Sequence, residues 1–114
     1  MSKVFFITGA GSGIGRVTAR ELLLKGYRVF LTDYNDAFLE DTCTVHLPSI
    51  IPEDRQGNFQ WAQMNVCDQG QVTNAIERCV QAFGGIDILV NSLACPFSSF
   101  PLDAVSNYTL GIFS

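Results

Sequence analysis

Four glycines, Gly9, Gly11, Gly13 and Gly15, fall within seven positions, between the apolar run 4–7 and a stretch of helical periodicity. Glycine takes positive φ freely, and with no Cβ it lets a ligand approach the backbone. A strand that turns through such residues into a helix presents free N–H groups and the positive helix end to an anion, which makes a cradle for phosphate. The competing reading is a flexible Gly/Ser loop that binds nothing; the flanking strand and helix favour the cradle. Asp33 stands 18 positions beyond Gly15, at the end of a second apolar run. A carboxylate there can accept both hydroxyls of an adenosine ribose and would repel a 2′-phosphate, so NAD is the expected cofactor and NADP the second choice. Its other open role is to cap the turn into the next helix. Arg16, directly after the last glycine, either approaches a phosphate or is a solvated helix residue.

The elements that must position these groups are legible along the chain. A strand is predicted over 3–8, apolar on both faces as in a parallel strand covered by helices on each side. A helix follows over 14–25, with Ile14, Val17 or Thr18, and Leu22 at helical spacing and Gly26 as its left-handed cap. A second strand over 28–32 ends in Asp33. A second helix is predicted over 36–45, capped by Asn35. Pro48 and Pro52 then mark 47–58 as a long surface loop. A third strand is predicted over 59–64. Asp68 and Gln71 stand at capping-box spacing before an amphipathic helix that groups Val72, Ile76, Cys79 or Val80, and Phe83. Gly84 and Gly85 stop that helix, and a fourth strand follows over 86–90. Strand and helix alternate, which predicts an α/β fold with a parallel sheet, right-handed crossovers and spatial order 3-2-1-4. The order reverses between the first and fourth strands. A ligand belongs in that crevice, at the carboxyl ends of the strands.

Composition narrows the function classes. The chain has 114 residues, 47% hydrophobic and 16% charged, enough for one globular domain. A net charge of −4, with Lys3 and Lys25 as the two lysines, argues against a nucleic-acid surface. No apolar run reaches membrane-spanning length. Cys43, Cys67, Cys79 and Cys95 form no Cys-x-x-Cys and read as reduced thiols of a cytoplasmic protein. His46 is the one histidine and has no ligand spacing around it, so no metal site is expected.

The pattern Thr8-Gly9-x-x-x-Gly13-x-Gly15 resembles that of the short-chain dehydrogenase/reductase family in its ordinary form. The resemblance covers about 3–94, fits 95–114 poorly, and implies a Rossmann-like NAD(P)-binding domain, incomplete at its C-terminal side. It assigns cofactor binding to Thr8, Gly9, Gly11, Ser12, Gly13, Ile14 and Gly15, and to Asp33. Asn65-Val66 stands where the family usually has Asp-Val, whose side chain meets the adenine amino group; Asn65 keeps an acceptor oxygen without the charge. Asn91-Ser92-Leu93-Ala94 stands where the family has Asn-Asn-Ala-Gly. Asn91 matches, and Ala94 puts a methyl group where the family glycine passes beneath the cofactor. Residues 97–100 and 105–113 resemble the start of the family's long helix, with Asn107 as a candidate for its active-site Asn.

The family's acid/base pair, Tyr-x-x-x-Lys with a preceding Ser, does not occur. Four residues beyond Tyr27, Tyr34 and Tyr108 stand Leu31, Phe38 and Ile112, and no lysine follows Lys25. Two readings follow. One is the cofactor-binding part of an oxidoreductase acting on an alcohol or ketone, inactive by itself. The other is a non-catalytic nucleotide-binding or interaction module. The strand 86–90 is predicted to form an unprotected sheet edge, which implies self-association.

Overall fold

The computed structural model describes residues 3–11, 13–91 and 111–113. β1 (Val4–Thr8) is the axis of a parallel sheet, paired with β2 (Arg28–Asp33) on one side and β4 (Ile88–Asn91) on the other. β3 (Phe59–Gln63) lies outside β2, so the order is β3-β2-β1-β4, as the alternation of elements requires. A fifth strand, β5 (Gly111–Phe113), extends the sheet in parallel beside β4, pairing Ile88 with Gly111 and Val90 with Phe113. This corrects two expectations. Residues 111–113 form a strand where a helix was expected, and β4 is an interior strand, not the sheet edge.

The apolar runs of the strands are explained by two cores, one on each face of the sheet. Val4, Phe6, Phe30 and Leu89 point to the face covered by α4 (Gln69–Phe83), joining Met64, Val72, Ile76 and Cys79. Ile7, Val29 and Leu31 point to the other face, joining Ala19 and Leu23 of α1 (Gly13–Leu24). Strand residues alternate between faces, so a strand buried on both sides shows no polar alternation in its sequence. Asp87 stands just ahead of β4; its Oδ2 accepts the Val4 N–H at 2.7 Å, while its own N–H donates to the Val4 carbonyl at 2.9 Å.

The helix ends form as their residue types dictate. Gly26 takes φ +92°, and the N–H groups of Gly26 and Tyr27 donate to the Leu23 and Leu22 carbonyls, a Schellman ending for α1. The buried side of α1 is Gly15, Ala19 and Leu23, whereas Ile14 is 80% exposed. Small residues let the first turns of this helix lie close to the glycine turn, and Ile14 and Val17 there face outward. Asp68 caps α4 by accepting the Gln71 N–H at 3.2 Å, and Gly84 closes it at φ +86°. Arg28 donates to the Phe83 carbonyl at 3.0 Å from beneath that end.

The larger correction concerns 47–58, expected as a loop. The helix begun by α2 (Asp36–Asp41), with Asn35 as its cap, continues through a π-helical segment, Thr42–His46, into α3 (Leu47–Ile50). Pro48 stands in the first turn of α3, directly after the π-helical segment. A 3-10 stretch, Glu53–Asn58, then leads into β3. Leu39, Cys43, Leu47 and Ile51 recur every four residues and are all buried. In a regular helix such a stripe drifts around the axis by about 40° per step. The wider π turn takes up that drift and keeps the stripe on the core. Cys67 is disulfide-bonded, so the expectation of free thiols fails there, while Cys43 and Cys79 are free and buried; sequence spacing carries no record of which thiols meet in space. Among the described residues no helix is long and apolar enough to cross a membrane.

Replacing Leu47, fully buried on this stripe, by Ala is expected to cost about 2–5 kcal/mol. Ile50→Ala, at a position 39% exposed, should cost under about 1 kcal/mol. Urea unfolding of the two variants checks the difference; equal effects would return 47–50 to a surface loop.

Candidate functional site

The glycine turn closes at the carboxyl ends of β1 and β2. Gly9 takes φ +68° and Gly13 φ +60°, a region that other residues rarely enter. The Ala10 N–H donates to the Thr32 carbonyl at 2.9 Å, and Thr32 donates its own hydroxyl to the Ile7 carbonyl at 2.9 Å. Gly15 must be glycine for a different reason: a Cβ there would sit 2.1 Å from the Gly9 carbonyl oxygen. The start of α1 is thereby pressed against the end of β1. The first turn of α1 contains no acidic residue of its own, so nothing within the helix opposes its positive end. Gly13 and Ile14 are exposed at that end, while Gly9 and Gly11 are buried.

Asp33, 8% exposed, is the link between turn and sheet. Its Oδ2 accepts the Gly11 N–H at 2.9 Å and its Oδ1 accepts the Asn35 N–H at 2.8 Å. Of the two roles left open for this carboxylate, the capping of the following turn is therefore realised. A carboxylate has about four acceptor positions, so two bonds leave capacity for hydroxyl donors. A side chain at position 11 would meet Asp33 Oδ2 and the Leu39 nitrogen, each at 2.9 Å. The turn, the carboxylate and the start of α2 are thus in direct contact.

The other residues singled out in the sequence lie along the same edge of the sheet. Thr8 ends β1, fully buried, with its hydroxyl 3.5 Å from the Val90 carbonyl. Asn91 ends β4 opposite Thr8. Asn65 and Val66 follow β3, held to β2 by the Met64 N–H donating to the Asp33 carbonyl at 3.0 Å. The Asn65 side-chain oxygen accepts the Cys67 N–H at 3.0 Å, and its backbone N–H donates to Gln71 Oε1 at 2.9 Å. Val66, 3% exposed, packs its side chain into the core under α4, which leaves its backbone as the part a ligand can reach. Ser12, Ser92, Ala94 and Asn107 lie outside the described residues. Arg16 forms a partly exposed ion pair with Asp41 at 2.9 Å.

Two site residues were missed in the sequence. Thr32 looks like any strand threonine, and nothing in its spacing marks it. Thr42 donates its hydroxyl to the Gly11 carbonyl at 2.7 Å while fully buried. Nothing in its local spacing points to Gly11, 31 positions away. Burial pushes the thiols of Cys43 and Cys79 up to about 12, so neither is a nucleophile at neutral pH.

The arrangement fits a dinucleotide: two positive-φ glycines, a third that a Cβ would block, a helix whose first turn holds no acid, and a carboxylate at the turn. Comparison with known proteins agrees. The sequence pattern of the short chain dehydrogenase family matches residues 3–108. Human 15-hydroxyprostaglandin dehydrogenase [NAD(+)] is 40% identical over 91 residues, covering 79% of this chain and 32% of its own. The 2-(R)-hydroxypropyl-CoM dehydrogenase of Xanthobacter autotrophicus is 35% identical over 92 residues, covering 81% of this chain and 35% of its own. The chain therefore spans about a third of the length of these curated relatives. Among solved structures, 3-ketoacyl-(acyl-carrier-protein) reductase from Brucella melitensis complexed with NADH superposes with a TM-score of 0.65 at 28% identity, over 77% of this chain and 32% of that one.

Helix propensity alone says that Gly15→Ala should stabilise α1 by about 1 kcal/mol. The 2.1 Å approach to Gly9 reverses the sign, and a net loss of about 1–3 kcal/mol is expected. Gly57→Ala, with nothing within 4 Å of the added Cβ, should stay within about 0.5 kcal/mol of the parent. Denaturant midpoints of both variants decide this.

Proposed function

The chain belongs to the short-chain dehydrogenase family, and from that premise we propose that residues 1–114 are a single NAD(P)-binding domain of an oxidoreductase acting on an alcohol or ketone. The observation that carries this reading is the bond from the Gly11 N–H to Asp33 Oδ2 at 2.9 Å, which sets a carboxylate at the lip of the glycine turn. Thr8, Gly9, Gly11, Ser12, Gly13, Ile14 and Gly15 would hold the pyrophosphate, chiefly through backbone groups. Asp33 would take the adenosine ribose hydroxyls, and Asn65, Val66 and Asn91 would border the adenine and nicotinamide sides. NAD is proposed over NADP, because the Asp33 carboxylate would oppose a 2′-phosphate and Arg16 is paired with Asp41. The name of the human relative, which specifies NAD, points the same way. Bound NAD would supply the hydride-accepting nicotinamide.

The chain by itself is proposed to be inactive. Its sequence holds no Tyr-x-x-x-Lys, the pair that in the family exchanges a proton with the substrate oxygen and lowers the tyrosine pKa. Asn107 is the one residue of this chain proposed for the catalytic centre. Self-association is proposed through a sheet edge, on the side where β5 lies outside β4. A cytoplasmic location is proposed on the free thiols Cys43 and Cys79; the disulfide at Cys67 weighs the other way.

Calorimetric titration with NAD, ADP-ribose and NADP tests the cofactor assignment. NAD and ADP-ribose should bind with similar affinity and NADP more weakly, and absence of heat with all three removes the assignment. Asp33→Asn should weaken NAD about tenfold, the scale of one charge-assisted hydrogen bond, and narrow the gap to NADP. An unchanged preference would confine Asp33 to the turn. The same preparation should show no reductase turnover above background and should sediment as more than a monomer. Measurable turnover would refute the inactivity, and a monodisperse monomer would refute the association.

A further inference from the structure

We infer that Thr42 is a positioning residue of the phosphate cradle, acting through the carbonyl of Gly11. A threonine inside a helix ordinarily turns its hydroxyl back to a carbonyl one turn earlier. Thr18 and Thr44 do so here, donating to the Ile14 and Glu40 carbonyls at 2.7 Å. Thr42 does not. Its hydroxyl, fully buried, reaches 31 positions back along the chain to the Gly11 carbonyl at 2.7 Å.

Gly11 is therefore held at both of its polar atoms by side chains from different elements. Asp33, at the end of β2, accepts its N–H at 2.9 Å, and Thr42, at the start of the π-helical segment, donates to its carbonyl. Neither bond belongs to a helix or a sheet ladder, so the conformation of the turn at this residue is set by these two side chains. The carbonyl is the negative end of its peptide. Thr42 draws that end into the helical run, where it cannot swing toward a bound anion. Without the hydroxyl, a buried carbonyl would be left unpaired, a costly state that the turn would relieve by rotating. Rotation at Gly11 alters the approach to Gly13 and the first turn of α1, the part proposed to face the diphosphate. The Gly11 N–H belongs to the preceding peptide, so its bond to Asp33 is kept when the carbonyl turns.

This inference rests on the nucleotide reading above, and its test separates the two. The full 114-residue chain is titrated with ADP and with adenosine, followed by ligand-observed NMR. Thr42→Val should weaken ADP at least tenfold and leave adenosine within about twofold, and Thr42→Ser, which keeps the hydroxyl, should restore ADP binding. Equal loss for both ligands, or loss of thermal stability with ADP affinity unchanged, would make Thr42 merely structural and overturn the inference. If Thr42→Val does not melt cooperatively, Thr42→Cys, similar in volume with a weaker donor, carries the same comparison. Failure of the parent chain to bind ADP or adenosine would remove the nucleotide reading itself, and this inference with it.

Discussion

The Asp33 carboxylate, nearly buried between the backbone N–H groups of Gly11 and Asn35, is the contact on which the arrangement of the site depends. It joins three things that sequence distance keeps apart: the turn after β1, the end of β2 and the entry to α2. A buried charge is tolerable only when its hydrogen bonds are made, and here both oxygens are engaged by main-chain donors. The glycine turn is consequently not a loose loop. Its amide is tied to the sheet, its carbonyl is tied to the π-helical segment, and its far end is packed against β1 by the missing side chain of Gly15.

Much of this was legible from residue types because the interactions involved are local. Asn35, Asp68, Gly26 and Gly84 sit at helix ends and do there what short polar side chains and glycine do at helix ends generally. The strand order followed from the alternation of elements. What was not legible involved groups far apart in the chain. The bond from Thr42 to Gly11 spans 31 positions and leaves no local trace. The helix through Pro48 was hidden because a proline read in one dimension is a breaker, whereas the four-residue spacing of Leu39, Cys43, Leu47 and Ile51 called for a wider turn. β5 was hidden because three residues are too few to show a period.

The sheet divides the molecule into two separate cores, and this division has a functional side. The layer under α4 holds Phe6 stacked on Phe30, with ring centroids 5.5 Å apart, together with Met64 and Val66. The layer under α1 and the helical run from Asp36 to Ile50 holds Ile7, Leu31 and the buried stripe. The glycine turn and Thr42 belong to the second layer. Asn65 and Val66 belong to the edge of the first. A dinucleotide lying across the carboxyl ends of the strands would touch both layers, so its binding would report on the packing of each.

Gly11 is walled in by Asp33 on one side and by the start of α2 on the other. Any larger residue at that spot would force the carboxylate or the backbone of α2 to shift. Latitude exists outward, at Tyr34 and Phe38, which are 65% and 53% exposed close to the same carboxylate and the same helix start. Changes of side chain at those two solvent-facing aromatics would therefore alter the surface beside the carboxylate without touching the turn.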